Sequence, residues 1–581
     1  MPETAGRVTP MAVSQTSTLV SRTGSWKYIR PVYQDRLAPC IEACPVGIDI
    51  EGYLNLLREG RVEAACDLLL RENPMPAVTG RVCHHPCETG CNRCQLDEGV
   101  AIHAIERALG DLILETTPAP AFPAAPASVG VVGSGPAGLA CAYHVARLGY
   151  HVTIFEAASE PGGMLRLGIP EYRLPRRVLD RQIDWIIAQG VTIECNSRVG
   201  EDIPWWSFLS SFDAAFLSTG AHQSKALGAP GEKLGGVESG LAFLRRTNAG
   251  ERPSVGQRVV VVGGGNTAMD CARTALRLGA EVTVLYRRTR AEMPAIGEEV
   301  DEAEREGVQF VFLAAPIRLV SANGRVNAIE CQRMRLGDPD ASGRRAPVPI
   351  PNDRFTQPAD TVLSAIGETA ELDILPPEIG RQGGSVLTDE YGGTSRAAVF
   401  AGGDLADQPR TVADALGAGK RAAIGIDQYL RMIMGRPLEG PPTAELRYGK
   451  TGNLSMTRWR RDDPVSRTAP VNDVVRYEEL NPRHFTREPR RRDGRLGVLE
   501  SRGGFGEVNL GLSRDQALEE AQRCFNCGVC NRCDVCLTFC PDVAIRHADG
   551  GYAVAMDYCK GCGVCAEECP RGALVMTREG L

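Results

Sequence analysis

The stretch Val129-Gly130-Val131-Val132-Gly133-Ser134-Gly135-Pro136-Ala137-Gly138, continued through Glu156 to Gly163, decides the fold. An apolar run enters Gly133-x-Gly135-x-x-Gly138, and an apolar-faced helix opening with Pro136 and Ala137 follows. A second apolar run, His151 to Phe155, then ends at Glu156. Gly133 permits a tight turn, Gly135 lets a pyrophosphate reach the backbone, and Gly138 lets helix and strand pack closely. The helix N-terminus faces the phosphates with unpaired N–H groups and a partial positive charge. Glu156 stands near the spacing of a carboxylate that accepts from ribose hydroxyls. Strand, turn, helix, strand and acid together predict a dinucleotide-binding α/β unit.

A second fingerprint starts at Arg258. Val259 to Val262 lead into Gly263-Gly264-Gly265-Asn266-Thr267-Ala268, with Ala268 in place of the third glycine. The next strand, Glu281 to Tyr286, ends in Arg287 and Arg288 with no acid at its tip. Arginines there suit a ribose 2′-phosphate, which favours NADP(H) over NAD(H). If the arginines instead form a solvated loop, NAD(H) returns. Ala365-Ile366-Gly367 brings the chain back to the first unit, and Val399-Phe400-Ala401-Gly402-Gly403-Asp404 closes it, followed by a helical pattern from Thr411 to Leu430. The architecture expected is α/β with two nested Rossmann-like units.

Composition adds limits. The 581 residues carry a formal charge of −7, which gives no reason to expect a nucleic-acid partner. No apolar run is long enough to span a membrane, and the first residues lack the pattern of a secretory signal, so a cytoplasmic protein is expected.

The 21 cysteines are the anomaly. Most fall in two groups, Cys40 to Cys94 and Cys524 to Cys569, while Cys141, Cys195, Cys271 and Cys331 are scattered between. Close Cys-x-x-Cys spacings at both ends of a large chain point to iron–sulfur ligation rather than disulfides. The runs Cys530-x2-Cys533-x2-Cys536-x3-Cys540-Pro541 and Cys559-x2-Cys562-x2-Cys565-x3-Cys569-Pro570 have bacterial-ferredoxin spacing, in which the fourth cysteine of each ligates the other cluster. One set is then Cys530, Cys533, Cys536 and Cys569, and the other Cys559, Cys562, Cys565 and Cys540. Zinc is the rival at the N-terminal group, where a Cys-Pro step and a three-cysteine run favour a four-iron cluster.

Cys44-Pro45 and Gly80-Arg81-Val82-Cys83-x3-Cys87-x3-Cys91 resemble the N-terminal iron–sulfur domain of the glutamate synthase small-subunit family, shared with dihydropyrimidine dehydrogenase. The resemblance implies one [4Fe-4S] cluster on Cys44, Cys83, Cys87 and Cys91. It implies a second on Cys40, a residue at the position of Glu106 and an upstream Cys-x2-Cys, yet Tyr28 to Pro39 contains no cysteine. Arg523-Cys524-x2-Cys527 repeats the missing text. That pair either joins Cys40, with Cys94 or Glu106, to rebuild the site, giving four clusters, or is an unligated helix end, giving three. The resemblance further implies FAD in the first unit. Gly163 and Leu165 then lie in the loop over the flavin, Gly220 in a tight turn after the strand Ala214 to Leu217, and Asp404 at the ribityl and pyrophosphate region.

The expected segments are an N-terminal arm (1–30), a helical [4Fe-4S] domain (31–115), a Pro/Ala linker (116–127), an FAD domain (128–250 and 366–435), an NAD(P)H domain (251–365), an extended connector (436–512) and an α+β ferredoxin-like domain (513–581). The expected function is an electron-transfer subunit of a hetero-oligomer, passing electrons between NAD(P)H and a ferredoxin or partner oxidoreductase subunit. The C-terminal module resembles relatives serving 2-oxoacid oxidoreductases of the phenylglyoxylate type, which would favour NAD(H). The alternative is the small subunit of a glutamate synthase. A disulfide reductase needs a Cys-x-x-Cys beside the flavin, and Cys141 and Cys271 stand alone.

Overall fold

The computed structural model describes residues 28–116, 126–340, 343–436, 443–461 and 473–578. Most of the Pro/Ala linker and nearly all of the expected arm lie outside those residues.

Two five-stranded parallel sheets form the centre. The first runs Val399–Ala401, Ala214–Leu217, Ser128–Val132, His151–Phe155, Val191–Glu194. These are short Val-, Ile- and Phe-rich runs, as expected where helices cover both faces. The second runs Gln309–Phe312, Glu281–Tyr286, Arg258–Val262, Thr361–Ser364, Val237–Ser239. Both fingerprints thus open on a central strand of their sheet. The strand Val237–Ser239 pairs in parallel with Thr361–Ser364, so the inserted fold has begun by residue 237 rather than at 251. An antiparallel ribbon, Ala221–Ser224 with Glu368–Ala370, joins the two folds. A three-stranded antiparallel sheet, Ala314–Ala322, Arg325–Pro339 and Arg345–Pro358, extends from the second fold.

The N-terminal domain is helical, with Ile50–Arg58, Val62–Glu72, Pro76–Val82 and Ile102–Leu114 as its main elements. One continuous apolar core joins it to the first fold, the long helix Val412–Ile433 and the connector. The connector runs over the body as an intramolecular strap. Arg490 pairs with Glu88, Arg492 with Glu98 and Arg495 with Glu302.

Two boundaries move. Ile29–Tyr33 is a strand, paired antiparallel with Leu574–Arg578, so the end of the expected arm belongs to the C-terminal module. Helix Arg514–Gln522, started by the capping box of Ser513 and Gln516, packs on Ile50–Arg58 and Ile102–Leu114. It belongs to the N-terminal domain in space, and the ferredoxin-like fold proper follows it. No helix among the described residues is long and apolar enough to cross a membrane.

Candidate cofactor cavity and cysteine clusters

A cavity of about 770 Å³ opens along the ends of both fingerprints. Gly133, Gly135, Pro136, Ala137, Glu156, Gly163, Gly220, Gly403 and Asp404 line it from the first fold, and Asn266 and Thr267 from the second. The turn is as tight as the fingerprint requires: a Cβ on Gly138 would sit 1.9 Å from the carbonyl oxygen of Gly133. Glu156 accepts from the backbone N–H of Ser134 at 2.9 Å and of Ala158 at 2.8 Å, so it holds the turn as well as facing the cavity. Leu165 is buried behind the loop rather than on the wall. The long helix Val412–Ile433 points its N-terminus, capped by Thr411, at the cavity. Burial holds the Asp404 carboxyl above its ordinary range.

Two buried polar atoms on the wall, Nδ1 of His84 and Oγ1 of Thr219, have no hydrogen-bond partner among the described residues. A cavity of this volume with glycine turns, a helix N-terminus and spare polar atoms fits a flavin dinucleotide. No cysteine lines it among the described residues, and Cys141 and Cys271 are fully buried elsewhere, which leaves no dithiol for disulfide chemistry.

The second fingerprint packs differently. A Cβ on Gly263 would sit 2.2 Å from the Ala365 carbonyl oxygen, Ala268 is fully buried, and Gly367 lies on the return path near Lys225. The two arginines separate. Arg288 is buried, its Nε donating to the Arg345 carbonyl at 2.8 Å and its guanidinium paired with Asp340. Arg287 is exposed and has no ion pair among the described residues. Of the pair, Arg287 has the free guanidinium. Adjacent arginines read alike in sequence; the neighbouring β-sheet that occupies Arg288 was not foreseen.

Two further residues were missed. Arg173, from the loop over the cavity, donates to both carboxylate oxygens of Asp270 at 2.9 Å, clamping that loop to the second fold. Their separation of 97 positions gives no local signal. His84 lines the cavity next to Cys83, as does Val82.

The cysteines gather at four places. Cys540, Cys559, Cys562 and Cys565 line one cavity. Cys530, Cys533, Cys536 and Cys569 lie within electrostatic reach of each other. Both groupings match the crossed ferredoxin pattern. At the N-terminus the expected sets are redistributed. Cys44, Cys83 and Cys87 neighbour one another, with Glu106 beside Cys44 and Cys83. Cys91 instead lines a separate cavity with Cys40, Cys524 and Cys527. The short helices Pro39–Ala43 and Pro86–Thr89 pack side by side, with Cys40 and Cys44 near the two ends of the first and Cys87 within and Cys91 just beyond the second. Cys94 is exposed, and its thiol donates to the Glu88 carbonyl at 3.2 Å. Burial pushes Glu106 up to about 7, against hydrogen bonds from Thr79 and Asn73.

Residues 127–419 match the pyridine nucleotide-disulphide oxidoreductase family. Residues 33–117 match dihydropyrimidine dehydrogenase domain II, 4Fe-4S cluster, and residues 552–575 a 4Fe-4S binding domain. The chain is 40% identical over 527 residues to the NADPH-Fe(3+) oxidoreductase subunit beta of Geobacter sulfurreducens, covering 84% of this chain and 75% of that protein. It is 40% identical over 520 residues to the NADP(+)-dependent formate dehydrogenase subunit beta of Moorella thermoacetica, covering 84% and 70%. Against the glutamate synthase [NADPH] small chain of Escherichia coli it is 36% identical over 422 residues, covering 68% and 89%. The chain therefore belongs to the pyridine nucleotide-disulphide oxidoreductase family, in the FAD- and 4Fe-4S-containing group that includes the glutamate synthase small chain.

Proposed function

We propose that this chain is the NADP(H)-linked electron-transfer subunit of a larger cytoplasmic oxidoreductase complex. One observation carries the reading. A single cavity is lined by both dinucleotide fingerprints and by Val82 and His84, which flank Cys83. Nicotinamide exchanges hydride, flavin exchanges hydride for single electrons, and iron–sulfur clusters carry single electrons. The residues supply position and shielding. Gly133, Gly135 and Gly138 would seat the flavin pyrophosphate, Gly163 would cover the flavin, Asp404 would meet its ribityl region, and Gly263, Gly265, Asn266, Thr267 and Arg287 would hold NADP(H). Cys44, Cys83 and Cys87, with Glu106, would hold the cluster nearest the cavity. No side chain is needed as a general acid or base.

The partner is read from relatives. Those at 40% identity are beta subunits named for NADPH-dependent Fe(3+) reduction and NADP(+)-dependent formate oxidation. They support a partner oxidoreductase subunit and favour NADP(H) over the NAD(H) that a 2-oxoacid complex would use. The glutamate synthase reading is second, because that match spans 68% of this chain. The test is anaerobic flavin bleaching with each nicotinamide. NADPH should outcompete NADH by about tenfold or more, a difference of about 1.4 kcal/mol. A tenfold preference for NADH would overturn the assignment.

A further inference from the structure

We propose that Cys40, Cys91, Cys524 and Cys527 together hold a four-iron cluster, built jointly by the N-terminal domain and the segment that leads into the ferredoxin-like fold. The inference deepens the reading above and rests on it only for what such a cluster would serve.

Four cysteines from three distant stretches line one internal cavity, whose remaining wall is largely apolar, with Leu54, Val100, Ile102 and Phe525. Cys40 and Cys527 are buried, and Cys40 lies within electrostatic reach of the other three. Hydrogen-bond donors are aimed at the sulfurs. The backbone N–H of Asn526 donates to Cys524 Sγ at 3.3 Å, and Asn92 Nδ2 to Cys527 Sγ at 3.4 Å. Backbone N–H groups of Arg93 and Val100 face Cys91. N–H donors of this kind orient ligating sulfurs and tune a cluster's potential. Four sulfurs in a tetrad, dry on most sides and supplied with N–H donors, are the surroundings of a ligated cluster.

The approach of the C-terminal pair is built into the fold. Glu520 accepts from the backbone N–H of Ala101 at 2.9 Å, and Asn526 donates to the buried Glu51 at 2.9 Å. The Arg523 carbonyl accepts from Arg93. Immediately after Cys527, Gly528 adopts φ +82°, and a Cβ there would sit 2.5 Å from the Arg36 carbonyl oxygen. The chain can turn from this site into the ferredoxin-like fold only with glycine at that point. The composite site adjoins a ligand set on either side. Cys44 and Cys40 lie at either end of one short helix, and Cys527 precedes Cys530 by one turn of backbone. The composite site is the link between the set beside the flavin cavity and the ferredoxin-like pair.

The experiment is iron and acid-labile sulfide quantitation on the full chain purified anaerobically, with electron paramagnetic resonance of the dithionite-reduced protein. About sixteen irons per chain are expected in the wild type, and about twelve in the Cys524→Ser/Cys527→Ser double variant, which also loses one spectral component. About twelve irons in the wild type overturns the proposal, as does zinc at this site or an unchanged iron count in the variant. Should the variant fail to fold, the wild-type count decides. So does alkylation: Cys524 and Cys527 should resist iodoacetamide until iron is removed, and modification or disulfide formation in the iron-loaded chain refutes ligation. Failure of NADPH to bleach the flavin would undo the functional reading and leave the iron count untouched.

Discussion

Nζ of Lys420 and Oε2 of Glu72 lie 2.6 Å apart, and neither side chain has any exposure to solvent. Lys420 sits on the long helix that follows Asp404, and Glu72 ends a helix of the N-terminal domain. Glu72 also accepts from Ser455 Oγ at 2.6 Å and from the backbone N–H groups of Met456 and Thr457 at 3.0 and 3.1 Å. One carboxylate therefore ties the flavin fold, the iron–sulfur domain and the connector together. Burial lowers the Lys420 pKa, and Glu72 opposes that. Removing one partner of a buried pair typically costs about 3–5 kcal/mol, because a charge is left uncompensated. Lys420→Met should destabilise the chain by that amount in denaturant titration. Lys420→Met/Glu72→Gln should recover part of the loss, and a double variant as unstable as the single would refute the account.

Arg287 and Arg288 should behave oppositely. Arg287→Ala should raise the KM for NADPH by at least about tenfold and leave NADH unchanged, since a charge-assisted contact contributes roughly 1.5–3 kcal/mol. Arg288→Ala should lower thermal stability, because Asp340 and the Arg345 carbonyl each lose a donor. Steady-state kinetics with both nucleotides and a melting curve separate the two.

Stability should depend on pH through His103. Its nitrogens face Glu88 at 2.8 Å and Asp493 at 3.3 Å, its ring stacks on His85 at 4.2 Å, and Arg490 neutralises the far side of Glu88. Burial opposes a charge on His103, but the two carboxylates override it and push its pKa up to about 10. A raised pKa stabilises fully below the unfolded value of about 6.5, and the benefit is lost as pH climbs through the folded value. Glu88 is held down to about 2, despite burial, by His103, His85 and Arg490, so its contribution is lost only in strong acid. The apparent melting midpoint should fall from pH 7 to 10 in the wild type. His103→Gln should melt lower and show less of that fall.

Tyr33 should tune the ferredoxin-like module. Its hydroxyl lies 3.0 Å from Cys536 Sγ, and it stands on the strand that pairs with Leu574–Arg578. A donor to a ligating thiolate stabilises the reduced, more negative cluster. Tyr33→Phe should lower one cluster potential by about 40 mV, the one-electron equivalent of about 1 kcal/mol. Potentiometric titration followed by electron paramagnetic resonance reads the shift directly.

The parts legible in sequence were those encoded by local spacing. Gly133 to Glu156 and Arg258 to Tyr286 each contain a whole strand–turn–helix–strand unit, and the crossed set Cys540, Cys559, Cys562 and Cys565 follows from two repeated runs. What escaped was set by contacts between distant segments. Cys87 and Cys91 look equivalent until Pro39–Ala43 packs beside Pro86–Thr89, which leaves Cys87 beside Cys44 and Cys83 and Cys91 in the cavity with Cys40. The second fold was started too late because Val237–Ser239 is only three residues long and carries one branched apolar side chain. Arg173 and Asp270 meet only because the loop folds across both domains.

The pairing of Ile29–Tyr33 with Leu574–Arg578 sets an order of events during synthesis. Arg30 and Thr577 are separated by 547 positions, so at about 5–20 residues per second the first strand waits roughly half a minute to two minutes for its partner. Throughout that interval the early cysteines are made and the last ones are not. The ferredoxin-like ligand sets can close only once Cys569 has been made, and a ribosome that stalls before that point leaves a chain with both nucleotide folds complete and no wire leading out.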